Sequence, residues 1–401
     1  MFSGLLTQLR ADITATELVL STHERFRDLI LTGGPQHTQG ESVGMTTRPS
    51  VDCIDAFRKQ MGALPSRLDW QIYDHSAAIT RLYAAYERFV NDIVAAYVAM
   101  LPDLYQNASE LPETIVINHR IGIGQILVKI GARKQYKDVQ EAAAIRALST
   151  GLGGGTDYNL IPEAFLVDRL NYRMETLAKI FGSLEFEEPA KQISNHPAVV
   201  EFMKTTRGES DTPQAELDGF VKYRNEAAHG IPEQILSPDE IKKIGQFLDA
   251  LGNAIADMVN ETVVKRHLHL GNSSTVATVS EIHHDGTVVV AVMRKESVAV
   301  GDELFVYDDR ICRRAKVESL QVNDTDVMSV EGQEGHEVGI RLSVRARHGA
   351  ELRRLRLPDQ VVPTQLAFED IAAADVQAEA VGPSDEGGST DDSSTDSEQP
   401  Q

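Results

Sequence analysis

Apolar residues recur at intervals of three and four through residues 1–30 and 50–265, the spacing of helices that bury one face. The strongest case is the segment HSAAITRLYAAYERFVNDIVAAYVAML at 75–101. There Ile79, Leu82, Tyr83, Tyr86, Phe89, Val90, Ile93, Val94 and Tyr97 make one wide apolar stripe, and Pro102 is expected to end the helix. Further helices are predicted at about 121–149, 161–182, 214–229 and 238–266. The last has a clear start signal, because Ser237 and Pro238 stand before Asp239 and Glu240. Between the first two helical stretches, residues 31–50 are rich in Gly, Ser, Thr and Pro and read as a surface loop.

The pattern changes at His267. After the linker GNSS, apolar and polar residues alternate at period two in TVATVSEI and TVVVAVM, and Asp285-Gly286 stands where a tight hairpin turn is needed. Further strands are expected at 303–307, 315–322, 326–330 and 337–342, so about six short strands follow one another, as in a small closed β-barrel. Beyond Pro363 the chain becomes acidic with few apolar residues, a composition that cannot offset its ordering entropy, and disorder is predicted. The fold class is therefore multidomain α plus β: an N-terminal helix and loop (1–50), a helical domain (51–270), a β-barrel (271–358) and an acidic tail (359–401).

Composition sharpens this picture in two places. No apolar run approaches the roughly 18–20 residues of a membrane helix, and the N-terminus lacks the basic flank and apolar core of a signal peptide, so a cytoplasmic location is expected. The two cysteines, Cys53 and Cys312, lie too far apart in sequence to suggest a disulfide framework or a cysteine-based zinc site. The formal net charge is −21. Residues 358–401 hold 11 acidic residues and no Lys or Arg, residues 272–357 hold 14 acidic and 12 basic, and residues 1–271 hold 35 acidic and 27 basic. No segment carries the broad basic footprint of a general nucleic-acid binder, so any RNA contact must be local.

The segment AELDGFVKYRNEAAHGIP carries the chemistry. On a helix, Leu217, Phe220, Val221, Arg224 and Ala228 share one face, which puts a guanidinium on an apolar stripe; that is costly unless it is paired or faces a cleft. His229 follows at the expected helix end, and Gly230 is suited to close the helix before Pro232. Arg224 and His229 stand about 140° apart on an ideal helix, so their convergence needs the helix to end near His229 or a second protomer to complete the site. RNEAAHG resembles the R-x4-6-H signature of HEPN domains, and the Asn after the Arg and the Gly after the His fit the RiboL-PSP or MAE-like branch. The upstream helix is similar too, with Tyr86 and Glu87 matching an aromatic–Glu pattern there, and the resemblance covers roughly residues 60–265.

The resemblance implies a metal-independent ribonuclease that needs no cofactor. His229 would act as acid or base, Arg224 would stabilise charge on the phosphate, and Asn225 would orient the phosphate or the imidazole, unless it simply caps locally. Glu87 would pair with Arg224 across the bundle or stand as a solvated carboxylate. One His per chain supplies half of an acid–base pair, so a homodimer is expected, with RNA as substrate and DNA inert for want of a 2′-hydroxyl.

Other constellations read more plainly. Lys129, Arg133 and Lys137, with Lys134 beside them, form a basic stripe that either guides an RNA backbone or is a solvated face. GLGGGTD at 151–157 lacks the strand and the Lys-Ser/Thr of a phosphate loop and reads as a connection. His267, His269, His283 and His284 lack acidic or Cys partners at ligand spacing and are expected exposed at a helix end and a hairpin tip. The segments ESVAVGDELFVYD and RAKVESLQVNDTDVMSVEGQEGHEVGIRL are similar to the second domain of translation elongation factors, with Gly301-Asp302 and residues 335–342 as the nearest points. Arg345, Arg347, Arg353, Arg354 and Arg356 make the barrel's C-terminal edge locally basic, either for RNA or as a solvated rim.

The expected function is an endoribonuclease acting on tRNA or ribosomal RNA, with a toxin or phage-defence role and a neutralising protein partner implied by the family. The alternative is a non-catalytic HEPN adaptor that dimerises and docks partners through the barrel.

Overall fold

The computed structural model describes residues 2–32, 65–129, 140–152, 155–167, 171–208, 211–230, 232–308 and 312–355. Helix α1 (Ser3–Thr32) lies antiparallel to α2 (Arg67–Leu104), with Arg67 bonded to Asp28 near one end and Arg88 reaching Asp12 near the other. Helix α2 begins in a capping box in which Ser66 and Asp69 satisfy each other's orphan backbone groups. It runs through Pro102 to Leu104, three residues further than its sequence predicts. Burial of Leu101 and Leu104 outweighs the one backbone bond that the proline removes from the final turn.

The predicted helix over 121–149 is two helices, α3 (Glu113–Lys129) and α4 (Glu141–Leu152), with residue 140 non-helical and 130–139 outside the described residues. The predicted helix over 161–182 is also broken. A 3-10 turn (Pro162–Phe165) precedes and α5 (Met174–Ser183) follows residues 171–173, which are non-helical with Asn171 at φ 56°, while 168–170 lie outside the described residues. Tertiary bonds override the periodicity there: the Tyr83 hydroxyl accepts the N–H of Tyr172, and the Tyr86 hydroxyl donates to the Tyr172 carbonyl, each at 3.0 Å. Short helices α6 (Pro189–Ser194) and α7 (Pro197–Phe202) and a π-helical turn (Met203–Arg207) lead to α8 (Pro213–His229) and α9 (Pro238–His269).

One apolar core joins these helices. Leu9 and Ile13 of α1 are buried with Leu82, Phe89 and Val90 of α2, Phe220 of α8 and Phe247 and Leu251 of α9, so the N-terminal helix is part of the bundle. Helix α1 meets α9 closely enough that a Cβ on Gly252 would come within 2.7 Å of Leu9 Cδ2 and make that side chain shift.

Strands β1 (Ser273–His283), β2 (Val288–Met293), β4 (Glu303–Tyr307), β5 (Cys312–Val322), β8 (Glu337–Leu342) and β9 (Glu351–Leu355) form an antiparallel barrel in the order β4-β9-β1-β2-β8-β5. Pairing of β4 with β5 closes it, so the region similar to the elongation-factor domain is a closed six-stranded barrel. Residues of one parity fill its interior, with Val289, Ala291 and Met293 of β2 against Leu304, Val306, Ile340 and Leu352. The 326–330 segment splits into β6 (Thr325–Val327) and β7 (Ser329–Val330), the latter paired with β3 (Val298–Ala299). Neither β3 nor β9 shows in the alternation, because one is two residues long and the other is dominated by arginine.

Helix α9 continues past the predicted end at 266 because its last turns pack on the barrel. Val264 and Leu268 are buried with Cys312, against Phe305, Tyr307 and Leu355. His267 is therefore buried rather than exposed, and burial lowers its pKa, whereas His269 stays exposed. Burial pushes the Cys312 thiol up to about 12, leaving it protonated and unreactive.

Candidate functional site

The site is built on α8. Thr212 caps its start by accepting the N–H of Ala215, Pro213 occupies the first helical position, and Gly230 closes it with φ 138°. That conformation is open to glycine and strained for other residues, so the helix stops at the place the motif requires. Arg207, held by Glu216 at 2.6 Å and Glu240 at 2.7 Å, ties the start of α8 to the start of α9. Arg173 and Asp218, 2.8 Å apart, fix the helix to the non-helical 171–173 stretch.

Leu217, Phe220 and Val221 anchor the inner face and are fully buried, whereas Ala228, expected on that stripe, is exposed. The stripe turns outward before the helix ends. Phe220 packs on the rings of Tyr83 and Tyr86, with centroids 5.9 and 6.4 Å away. One turn further along α8, the half-buried Arg224 lays its guanidinium over the Tyr83 ring, 4.5 Å from the centroid, and donates to Asn225 Oδ1 at 3.0 Å. The Tyr83 ring is the residue that sequence reasoning missed; it was legible only as one apolar position among many on α2.

Glu87, one turn beyond Tyr83, is half-buried and is neither bonded to Arg224 nor a solvated surface carboxylate. Burial raises its pKa and the charge of Arg224 opposes the rise, but no ion pair within 4.0 Å joins the two. Arg224 therefore holds an aromatic face and an amide oxygen but, among the described residues, no carboxylate. The backbone of α8 includes position 229; the side chain of His229 lies outside the described residues.

Two other groups near the end of α8 were not singled out from sequence. His75 of α2 is buried, its Nδ1 accepting the N–H of Leu236 at 3.2 Å and its ring set edge-on to Tyr223. Glu226 is half-buried beside it, in ion-pair contact with Lys222 at 3.3 Å.

Lys129 is half-buried at the end of α3, and Arg133, Lys134 and Lys137 lie outside the described residues. At the barrel edge, Arg345 pairs with Asp285, Arg347 with Asp308, Arg353 with Glu351, and Arg354 with both Asp302 and Glu296; Arg356 lies outside the described residues. Carboxylates thus meet each described arginine of that rim, which favours its reading as a solvated edge.

In this helical bundle α8 carries Arg224 on an aromatic face and closes at Gly230, and a small β-barrel follows. The sequence profile of the RiboL-PSP-HEPN family matches residues 52–261, just over half of the chain, and the chain belongs to that family. HEPN domains are commonly ribonucleases and often dimerise. No match to a curated protein was found. Two crystal structures of the C-terminal domain of a putative U32 peptidase from Geobacillus thermoleovorans are similar at 13% identity. One, a selenomethionine variant, covers 20% of this chain and 98% of that domain at a TM-score of 0.18; the other covers 21% and 92% at 0.19. Among the described residues no helix is long and apolar enough to cross a membrane.

Proposed function

We propose that the protein is a metal-independent endoribonuclease that works as a homodimer, with Arg224, Asn225 and His229 as its site. The observation that carries this reading is the state of Arg224: a half-buried guanidinium fixed on an aromatic ring with no carboxylate partner among the described residues, on the same helix as position 229. A fixed cation of that kind is placed to bind a phosphate and to stabilise charge that grows on its oxygens during reaction.

The reaction is transesterification within RNA. A base removes the proton of a ribose 2′-hydroxyl as its oxygen bonds to the neighbouring phosphorus, and an acid protonates the departing 5′-oxygen as the P–O5′ bond breaks. The products are a 2′,3′-cyclic phosphate and a 5′-hydroxyl. Each chain offers one His229, so two protomers together supply the base and the acid, with two copies of Arg224 around one phosphate. Asn225, bonded to Arg224, holds the guanidinium plane toward that phosphate. The substrate is tRNA or ribosomal RNA, selected with help from the barrel, and the activity serves as a toxin or defence effector controlled by a neutralising partner. DNA is not cut, since it lacks the attacking hydroxyl.

The test is incubation of total RNA in EDTA with wild type and His229→Ala. Wild type is expected to cut discrete RNAs, and the variant to be slower by about 10²-fold or more. Equal traces from both, or no cutting by either, would leave the chain as a non-catalytic HEPN adaptor.

A further inference from the structure

His75 is a buried titratable group that the reaction above does not use. It stands on α2 at 1% exposure, and its Nδ1 accepts the N–H of Leu236 at 3.2 Å. A backbone amide can only donate, so this bond requires an unprotonated Nδ1 and puts the ring proton of the neutral imidazole on Nε2. That nitrogen is buried too and has no hydrogen-bond partner. An amide side chain could accept the same N–H. An imidazole in this place adds a group whose charge changes near neutrality.

What the bond holds is the connection between α8 and α9. Residues 232–236 belong to neither helix nor strand. Among the described residues, the hydrogen bonds that reach them are this one and the exposed contact of Lys222 with Glu233. The Leu236 side chain is buried in the bundle core, so the connection is pinned at one place by an apolar anchor and an acceptor on α2. From α8 the ring is faced by Tyr223, set edge-on, and by Glu226, which is itself in ion-pair contact with Lys222. On α2 the adjacent Asp74 binds Arg27 and His23 of α1. Burial works against a charged ring at position 75, and the Glu226 carboxylate works for it, with burial the larger effect.

We propose that His75 is a proton-operated latch on the α8–α9 connection: the neutral ring holds Leu236, and protonation of Nδ1 expels its N–H and frees residues 232–236. The proposal does not depend on the ribonuclease reading, and it places a proton-sensitive joint beside the helix that carries Arg224. Because burial lowers the pKa of the closed state, the latch is at full strength above the ordinary value of about 6.5 and weakens as the pH falls from there toward the lowered one.

The test is hydrogen exchange of the full-length chain, read by mass spectrometry on a peptide spanning 232–238 from about pH 8 to pH 5. Rates are normalised to those of the unstructured peptide, and strand β2 (288–293) serves as the reference for global opening. In wild type, protection at 232–238 is expected to hold above pH 6.5 and to fall by up to about tenfold per pH unit below it, while β2 keeps its protection. In His75→Asn, whose Oδ1 takes the place of Nδ1 and does not titrate, protection at 232–238 should stay level over the same range. A level profile in wild type, an equal fall in His75→Asn, or an equal fall at β2 would overturn the proposal. Should His75→Asn fail to fold, wild type carries the test alone, with a level profile at 232–238 or a matching fall at β2 as the contrary result.

Discussion

A guanidinium lying 4.5 Å from the centre of a phenol ring loses part of its hydration and gains the attraction of the ring face, which is why Arg224 is tolerated beside a buried stripe without a carboxylate. Two substitutions at Tyr83 separate the roles of its ring and its hydroxyl. Tyr83→Phe keeps the ring under Arg224 but leaves the buried N–H of Tyr172 without its acceptor. It should cost about 1–3 kcal/mol in urea denaturation while the folded protein cuts RNA at close to the wild-type rate. Tyr83→Leu removes the aromatic face, and cleavage should fall about 5–20-fold. Equal activity in the two variants would show that the ring does not matter to the site. Arg224→Lys keeps the charge but loses the planar stacking and the amide contact, and should lower cleavage by more than tenfold. At this scale the sequence is informative about residue types and poor on their surroundings. The Arg224–His229 spacing is visible in the chain itself. The Tyr83 platform depends on how two helices 140 residues apart in sequence are brought together.

Among the elements, α8 had signals at both ends: Thr212-Pro213 at its start and Gly230 at its close. Gly230→Ala should strain the terminating φ of 138° and lower stability by about 1 kcal/mol or more, read as a shift in the urea midpoint. A variant as stable as wild type would mean that the closing conformation is easily replaced. Helices 121–149 and 161–182 show where periodicity misleads. Apolar residues recur at helical spacing around 171–173, yet those residues are non-helical because buried tyrosine hydroxyls take the backbone groups of Tyr172. Such bonds come from α2, and a local pattern cannot contain them. In the barrel, alternation located the long strands well. It failed for β9, where Arg353 and Arg354 follow Leu352, each arginine matched by a carboxylate from elsewhere in the barrel or on its own strand.

In the molecule as a whole, two buried titratable groups oppose each other. His119 is 3% exposed, its Nε2 accepts the N–H of Ile161, and burial lowers its pKa from 6.5 to about 4. Its contribution to stability is intact above pH 6.5 and is lost as the pH falls toward 4, by about 3 kcal/mol in full. Glu261, on α9 near Arg313 of the barrel, is raised by burial from 4.5 to about 7. Its contribution is intact below pH 4.5 and is lost as the pH rises through 7, the opposite sign. Relative to wild type, His119→Gln should gain stability on acidification from pH 7 to 4.5 and Glu261→Gln should lose it, in urea titrations across that range. Parallel profiles for all three proteins would contradict this assignment. The helical bundle, the barrel and the order of the two were legible from period and turn chemistry. The docking of α9 on the barrel was not legible, because Val264, Leu268 and Cys312 read as ordinary apolar positions until both domains are in place.

The central claim is that this HEPN site breaks RNA by 2′-oxygen attack, and the chemistry of the ends it leaves tests that most directly. RNA fragments released by the wild-type protein in EDTA are mapped by selective capture of 2′,3′-cyclic phosphate and 5′-hydroxyl termini, with Arg224→Ala and His229→Ala treated in parallel. Paired cyclic-phosphate and 5′-hydroxyl ends at the same sites, found for wild type and absent from both variants, are the predicted result. Fragments ending in 3′-hydroxyl and 5′-phosphate, or identical ends from all three proteins, would contradict it.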